Sequence, residues 1–285
     1  MENYLKYFLN FILLGLLLAC EKSHTVEDAS LNTEERKSLS KKHFETAEKY
    51  TGQGTPTNMR LIETALKLDP DNAAAWRELS VPYLKRGIPH EWKPLFDSAV
   101  KNDPISWTGW RGYLKLYFYR DYEGAILDFN ATDSLTPNFT DYPQGQSVDY
   151  MRGLCYLGLK DYQKAKSFFL TYINEVTLKS GENWVDVNAF LYCGITYSRL
   201  QKPDTAIIFF DKGIKNYDKF SDGFFHKANI KLEQGKSREA LELLIFGKEL
   251  FKKGYFHQRE YVEVQEQLYL SDFDELENKI KLAMR

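Results

Sequence analysis

Large apolar residues recur three and four positions apart through most of the chain, separated by polar breaks marked with proline or glycine. Trp76, Leu79 and Tyr83 share one helix face by that spacing, and Phe96 and Ala99 share another. Ile88-Pro89 lies between them, where a helix has to stop, and Asp103-Pro104 closes the pair. The pattern predicts a helical hairpin over 73–104. Ahead of it, 39–50 reads as a helix and 51–56 as a loop. A second helix carries Leu61, Ile62, Ala65 and Leu68 and is stopped by Asp69-Pro70. Further on, Trp110, Tyr117, Tyr122, Ala125 and Phe129 lead to Thr136-Pro137 and a longer loop over 138–146. Gly153, Tyr156, Tyr162, Ala165 and Phe169 follow, with Thr177 where a proline would fit and an extended connection predicted over 180–184. Phe190, Gly194, Tyr197, Ala206, Phe210 and Gly213 make the next unit, and Phe224, Ala228, Gly235, Ala240, Leu244 and Gly247 the one after. The last unit, about 257–285, keeps Phe273, Leu276, Ile280 and Ala283 in step. Its helix is predicted to start after Ser271, acidic first and basic last, as the helix dipole favours.

One position shows the register. Phe96, Phe129, Phe169, Phe210, Leu244 and Ile280 are 33, 40, 41, 34 and 36 residues apart. Ala125, Ala165, Ala206 and Ala240 each stand four before one of them, a small residue that lets two helices approach beside a large one. Pro70 to Pro104 spans 34 residues and Pro104 to Pro137 spans 33. This pattern resembles the tetratricopeptide repeat, whose period is 34 residues. The resemblance implies an all-α fold, an α-solenoid of about six or seven tandem helical hairpins over 39–285, with the last helix as a cap. The high aromatic content, 15%, is then core filling at packing positions.

The N-terminus reads as an address. An almost wholly apolar run over 7–19 is too short to span a bilayer and fits the apolar region of a secretory signal. It ends Leu17-Leu18-Ala19-Cys20, which resembles the bacterial lipobox. That resemblance implies removal of residues 1–19 and acylation of Cys20. It implies a lipid-anchored protein of the bacterial cell envelope, at the outer membrane, with either membrane face open. An ordinary secretory signal that happens to contain a cysteine is the other reading of the same residues. Residues 20–38 are polar and read as a flexible tether.

Composition narrows the chemistry. The net charge is −2, from 38 basic and 40 acidic residues, so a nucleic-acid partner is not expected. Three cysteines make no disulfide framework, and Cys155 and Cys193 read as buried free thiols. The histidines His24, His43, His90, His226 and His257 show no helical metal spacing, and His90-Glu91 lacks the second histidine of a zincin motif because Pro94 stands there. No phosphate loop or nucleophile elbow is present. No cofactor, metal or catalytic residue is expected, and the chain is read as a non-enzyme.

In the resembling family the first helix of each repeat lines a concave surface that takes a peptide or a helix. Carrying those positions over implies a groove of Arg77, Val81, Leu84 and Lys85, then Arg111, Lys115, Phe118 and Tyr119. Tyr150, Leu154 and Leu157 follow, then Ile195 and Arg199, then Phe225, Asn229 and Leu232. The N-terminal half of this groove is basic and aromatic, suited to an acidic segment or a C-terminal carboxylate. The same residues also read as solvated cations beside packing aromatics. The expected function is a membrane-anchored scaffold that binds a protein or peptide. The alternative is a lipoprotein that captures glycans, with Trp92, Trp107 and Trp184 as stacking rings.

Overall fold

Proline and side-chain caps decide where the helices of this chain begin. The computed structural model describes residues 31–285. Two compact units divide at Asp103/Pro104. In the first, α1 (Thr33–Tyr50) pairs with α2 (Pro56–Leu68), and α3 (Ala73–Lys85) with α4 (Pro89–Asn102). In the second, α5 (Pro104–Leu114, continued by a π-helical turn Lys115–Tyr119) pairs with α6 (Tyr122–Leu135). There follow α7 (Val148–Gly158) with α8 (Tyr162–Ser180), α9 (Val187–Arg199) with α10 (Pro203–Asn216), and α11 (Ser221–Glu233) with α12 (Ser237–Lys252). A single helix, α13 (Leu270–Ala283), ends the series. Pro56, Pro89, Pro104 and Pro203 each open a helix, where a missing N–H costs nothing. Asp121, Asp161 and Asp186 cap α6, α8 and α9 by accepting from a first-turn amide.

The turns inside the hairpins repeat one solution. Gly87, Arg120, Lys160, Gln201 and Gly235 all take left-handed backbone, with φ between 52° and 74°. The residue after each donates its amide back to the end of the first helix: Ile88 to Tyr83, Asp121 to Lys115, Asp161 to Tyr156, Lys202 to Tyr197, Lys236 to Lys231. Otherwise orphaned helix-end carbonyls are satisfied this way.

Packing within each hairpin rests on the predicted register. Phe96, Phe129, Phe169, Phe210, Leu244 and Ile280 are all fully buried, as are Ala125, Ala165, Ala206 and Ala240. The second unit adds a partner that spacing alone did not single out in full. Gly112, Gly153 and Gly194 on the first helices face Phe129, Phe169 and Phe210, and a Cβ at each would lie 2.6, 2.6 and 2.5 Å from the ring. The first helix touches the phenyl face with its backbone.

Several boundaries differ from those predicted. The first helix begins at Thr33, not 39, because Asn32 and Glu35 form a reciprocal capping box. Residues 33–38 of the expected tether are therefore helical. The helix α8 runs past Thr177 to Ser180, since nothing before Gly181 stops it, and 182–184 is a 3-10 turn. Its length of 19 residues, and the loop after α6, account for the 40- and 41-residue intervals. The final helix starts at Leu270, capped through Tyr269 and Asp272. Ahead of it, residues 254–269 are not helical at all. The expected signal segment and Cys20 lie outside the described residues. Among the described residues, no helix is long and apolar enough to cross a membrane.

Gly194→Ala tests the close approach. Alanine's better helix propensity, about 1 kcal/mol, opposes an overpacking cost of about 1–3 kcal/mol. The cost should prevail because the Phe210 ring is only 1% exposed and has nowhere to move. Urea melts should show a net loss for Gly194→Ala and a loss of about 3–5 kcal/mol for Phe129→Ala. Unchanged midpoints would contradict this packing.

Candidate functional site

The non-helical segment 254–269 leaves α12 and crosses the first helices of the second unit before α13 begins. Arg259 sits over the Tyr117 ring, 3.9 Å from its centroid, and donates from Nη1 to the Tyr113 hydroxyl, both on the first helix of that unit and its π-helical turn. At Gly158, the end of α7, the segment's Gln265 lies so close that an added Cβ would stand 2.6 Å from Nε2. On α9, Tyr192 donates its hydroxyl to the Gln265 carbonyl at 2.9 Å and meets the His257 ring edge-on at 5.8 Å. On α11, Asp222 accepts from the His257 amide at 2.9 Å, and the Ser221 amide donates to the Tyr255 carbonyl at 3.3 Å. Ion pairs mark both rims, Arg120 with Glu263 at 3.3 Å and Arg199 with Glu266 at 3.1 Å. The first-helix face is thus occupied by an extended stretch of the same chain, which we call the strap.

Burial under the strap shifts several groups. Desolvation pushes the Tyr117, Tyr150 and Tyr192 hydroxyls above their ordinary range, so they stay neutral hydrogen-bonding groups. Desolvation, helped by Arg259, lowers His257 to about 4. Asp222 is raised to about 6 by burial, against the hydrogen bond from His257.

Beyond Glu266 the strap leaves an open cleft of about 660 Å³ between α9, α11 and α13. Arg199, Phe225, His226, Asn229, Glu266 and Lys279 are among its lining residues. His226 stacks on Phe210 with rings 5.6 Å apart and 17° from parallel. Its Nε2 is buried with no hydrogen-bond partner among the described residues, and burial lowers its pKa to about 4.

The expected groove residues meet different fates. Arg199, Phe225 and Asn229 come together at this cleft, and Ile195 forms part of its floor. Tyr150, Leu154 and Leu157 are core residues at 3%, 2% and 5% exposure, and Val81 and Leu84 are buried likewise, so none offers a groove surface. Arg111 and Lys115 do not make a basic surface. They converge on the buried carboxylate of Asp128 at 2.7 and 2.8 Å, because that charge lies within the α5/α6 hairpin. Arg77 pairs with Glu78, Lys85 donates to Gln53 at 2.8 Å, and Phe118 packs half-buried on the core. Tyr119 is half-buried and its hydroxyl is pushed up to about 12 by desolvation. Of the tryptophans expected to stack on glycans, Trp92 is 2% exposed and Trp107 packs edge-on against Trp110, while Trp184 is 76% exposed. Cys155 and Cys193 are buried free thiols. The residues that hold the strap, Tyr113, Arg120, Tyr192, Asp222, Arg259, Glu263 and Gln265, were not legible from helical spacing. The one available signal was its failure between Gly254 and Tyr269.

Comparison with known proteins agrees with this architecture. The tetratricopeptide repeat model matches residues 150–174, within α7 and α8. Among curated protein sequences, none matches the chain. The solved structure of PilW, described as a widely conserved type IV pilus biogenesis factor, is similar with a TM-score of 0.58 at 18% identity, over 78% of this chain and 96% of that one. Pseudomonas aeruginosa PilF is similar with a TM-score of 0.55 at 17% identity, over 76% and 94%. Yeast Tom70 gives 0.54 at 17% identity, over 86% of this chain and 47% of that one. At these identities the likeness is one of fold: an all-α solenoid of tetratricopeptide-type hairpins.

The buried histidines set a pH dependence. His226 and His257 fall from an ordinary 6.5 to about 4 on folding. Between those values the unfolded chain binds the protons and the folded chain does not, so stability falls as pH drops through the window. Asp222, raised from 3.8 to about 6, acts oppositely, its contribution falling as pH rises from 3.8 to 6. Two imidazoles outweigh one carboxyl, so the urea midpoint should be lower at pH 5 than at pH 7. The double variant His226→Phe/His257→Phe should flatten or reverse that slope, and an unchanged slope would contradict the burial of both rings.

Proposed function

We propose that this chain is a non-catalytic protein-interaction scaffold held at the bacterial envelope by a lipid on Cys20, its second unit receiving an extended segment of a partner protein. One observation carries the docking reading: a stretch of polypeptide already lies along the first helices, held by side chains from three of the four hairpins of the second unit. Extended peptides bound this way gain specificity from side-chain pockets at intervals along the groove. The cleft at Arg199, Phe225 and Asn229 is the part of that face left open, and it is where the partner enters. Similarity to a pilus biogenesis factor supports a role in envelope assembly. Anchoring rests on the lipobox-like Leu17-Leu18-Ala19-Cys20. Stable attachment takes two or more acyl chains. Glycan capture has less support, since Trp184 alone among the three tryptophans is largely exposed.

A photo-crosslinking amino acid at Asn229, in cells, tests the reading, with Phe246 as control because it is exposed on α12 away from the cleft. A discrete protein adduct from position 229 and none from 246 is expected. Cys20→Ser should move the protein from the membrane to the soluble fraction and reduce that adduct. Equal adducts from both positions, or a variant that stays in the membrane, would count against the docking and the anchoring readings respectively.

A further inference from the structure

The strap is well placed but imperfectly fitted. Its Gln265 Oε1 is buried without a hydrogen-bond donor among the described residues, and an acceptor desolvated without a partner is a net cost to docking. Tyr261 and Glu266 adopt left-handed backbone at φ 68° and 53°, a conformation that bulky L-residues avoid. The two rim ion pairs are substantially exposed, Arg120 and Glu263 at 53% and 63%, Arg199 and Glu266 at 50% and 32%, so they set register more than affinity. The strong contact is Arg259, with its guanidinium on the Tyr117 ring and its Nη1 on the Tyr113 hydroxyl. A tethered segment tolerates such defects, since tethering supplies an effective concentration in about the millimolar range. A free segment able to compete has to keep the arginine and lose the defects.

We propose that the first-helix face of the second unit recognises an extended protein segment with an arginine over Tyr117 and carboxylates against Arg120 and Arg199, and that residues 255–268 occupy it as an intramolecular ligand which such a segment displaces. The proposal rests on the scaffold reading and adds the partner's chemistry. At the Gln265 position the partner carries an unbranched apolar side chain such as methionine, which fills the same space without an orphaned oxygen. The strap supplies the spacing: arginine, a carboxylate at Glu263, the apolar site at Gln265, a carboxylate at Glu266.

A fluorescein-labelled peptide of residues 255–268 carrying Gln265→Met is the probe, read by anisotropy against the full chain. It should bind the Arg259→Ala protein, whose strap has lost its anchor, about tenfold or more tighter than it binds the wild type. The same peptide with Arg259→Ala should lose about tenfold in affinity for that variant. If the two peptides bind equally, the face takes peptides and the scaffold reading stands, but the arginine rule is overturned. If neither binds while the variant keeps its helicity, both fall. Hydrogen exchange on the wild type is independent of any variant. Strap amides should exchange about tenfold or more faster than those of α9 and α11 by local opening, and exchange at one common rate would overturn displacement.

Discussion

Every hairpin of the second unit depends on how closely its two helices approach. Where Gly112, Gly153 and Gly194 press backbone onto the rings of Phe129, Phe169 and Phe210, the helices sit too near for any intervening side chain. That contact leaves the other aromatic residues of the first helices pointing elsewhere. Tyr113, Tyr117 and Tyr192 project away from the glycine side and form a face with polar tips and apolar bodies. A solenoid buries each hairpin against its neighbours, but its first-helix face is covered only if something lies along it. Here the strap covers it. Buried tyrosine hydroxyls need partners, and those of Tyr113 and Tyr192 find them in strap atoms.

The same constraint explains how the charges are arranged. Asp128 at 3% exposure would be costly alone, and it collects both Arg111 and Lys115. Arg152, also buried, is met by Asp133, Asp149, Asn130 and the Phe129 carbonyl. These cations hold hairpins together and are spent inside the fold. The cations that meet the strap, Arg120 and Arg199, stand at the helix ends, where exposure keeps their pairs exchangeable. The division between the charges that join hairpins and those that meet the strap follows burial.

Much of the architecture was legible in the sequence. Ile88-Pro89 and Asp103-Pro104 marked where helices stop, and the spacing of the large residues identified the buried positions from Phe96 to Ile280. Helical spacing reports which side of a helix is apolar. It does not report which of two apolar neighbours covers it. Tyr150 and Leu154 therefore read as groove when they are core, and Arg111 read as a ligand contact when its partner stood 17 residues away on the next helix. The start of the first helix at Thr33 was missed, because the polar helix behind the Asn32 cap has almost no apolar stripe to announce it. The strap was the least legible element. Its contacts join residues up to 146 apart, and an extended segment in a groove has no period of its own.

A double-mutant cycle between Arg259 and Tyr117 tests the central claim most directly, because the single-site losses cancel and only their mutual contact remains. Arg259→Ala and Tyr117→Leu, alone and together, would be compared by urea denaturation of the full chain. A coupling of about 1 kcal/mol is predicted for a partly desolvated guanidinium on an aromatic face. Additive losses, with no coupling, would mean that the strap does not lie on the first helices and would contradict the account.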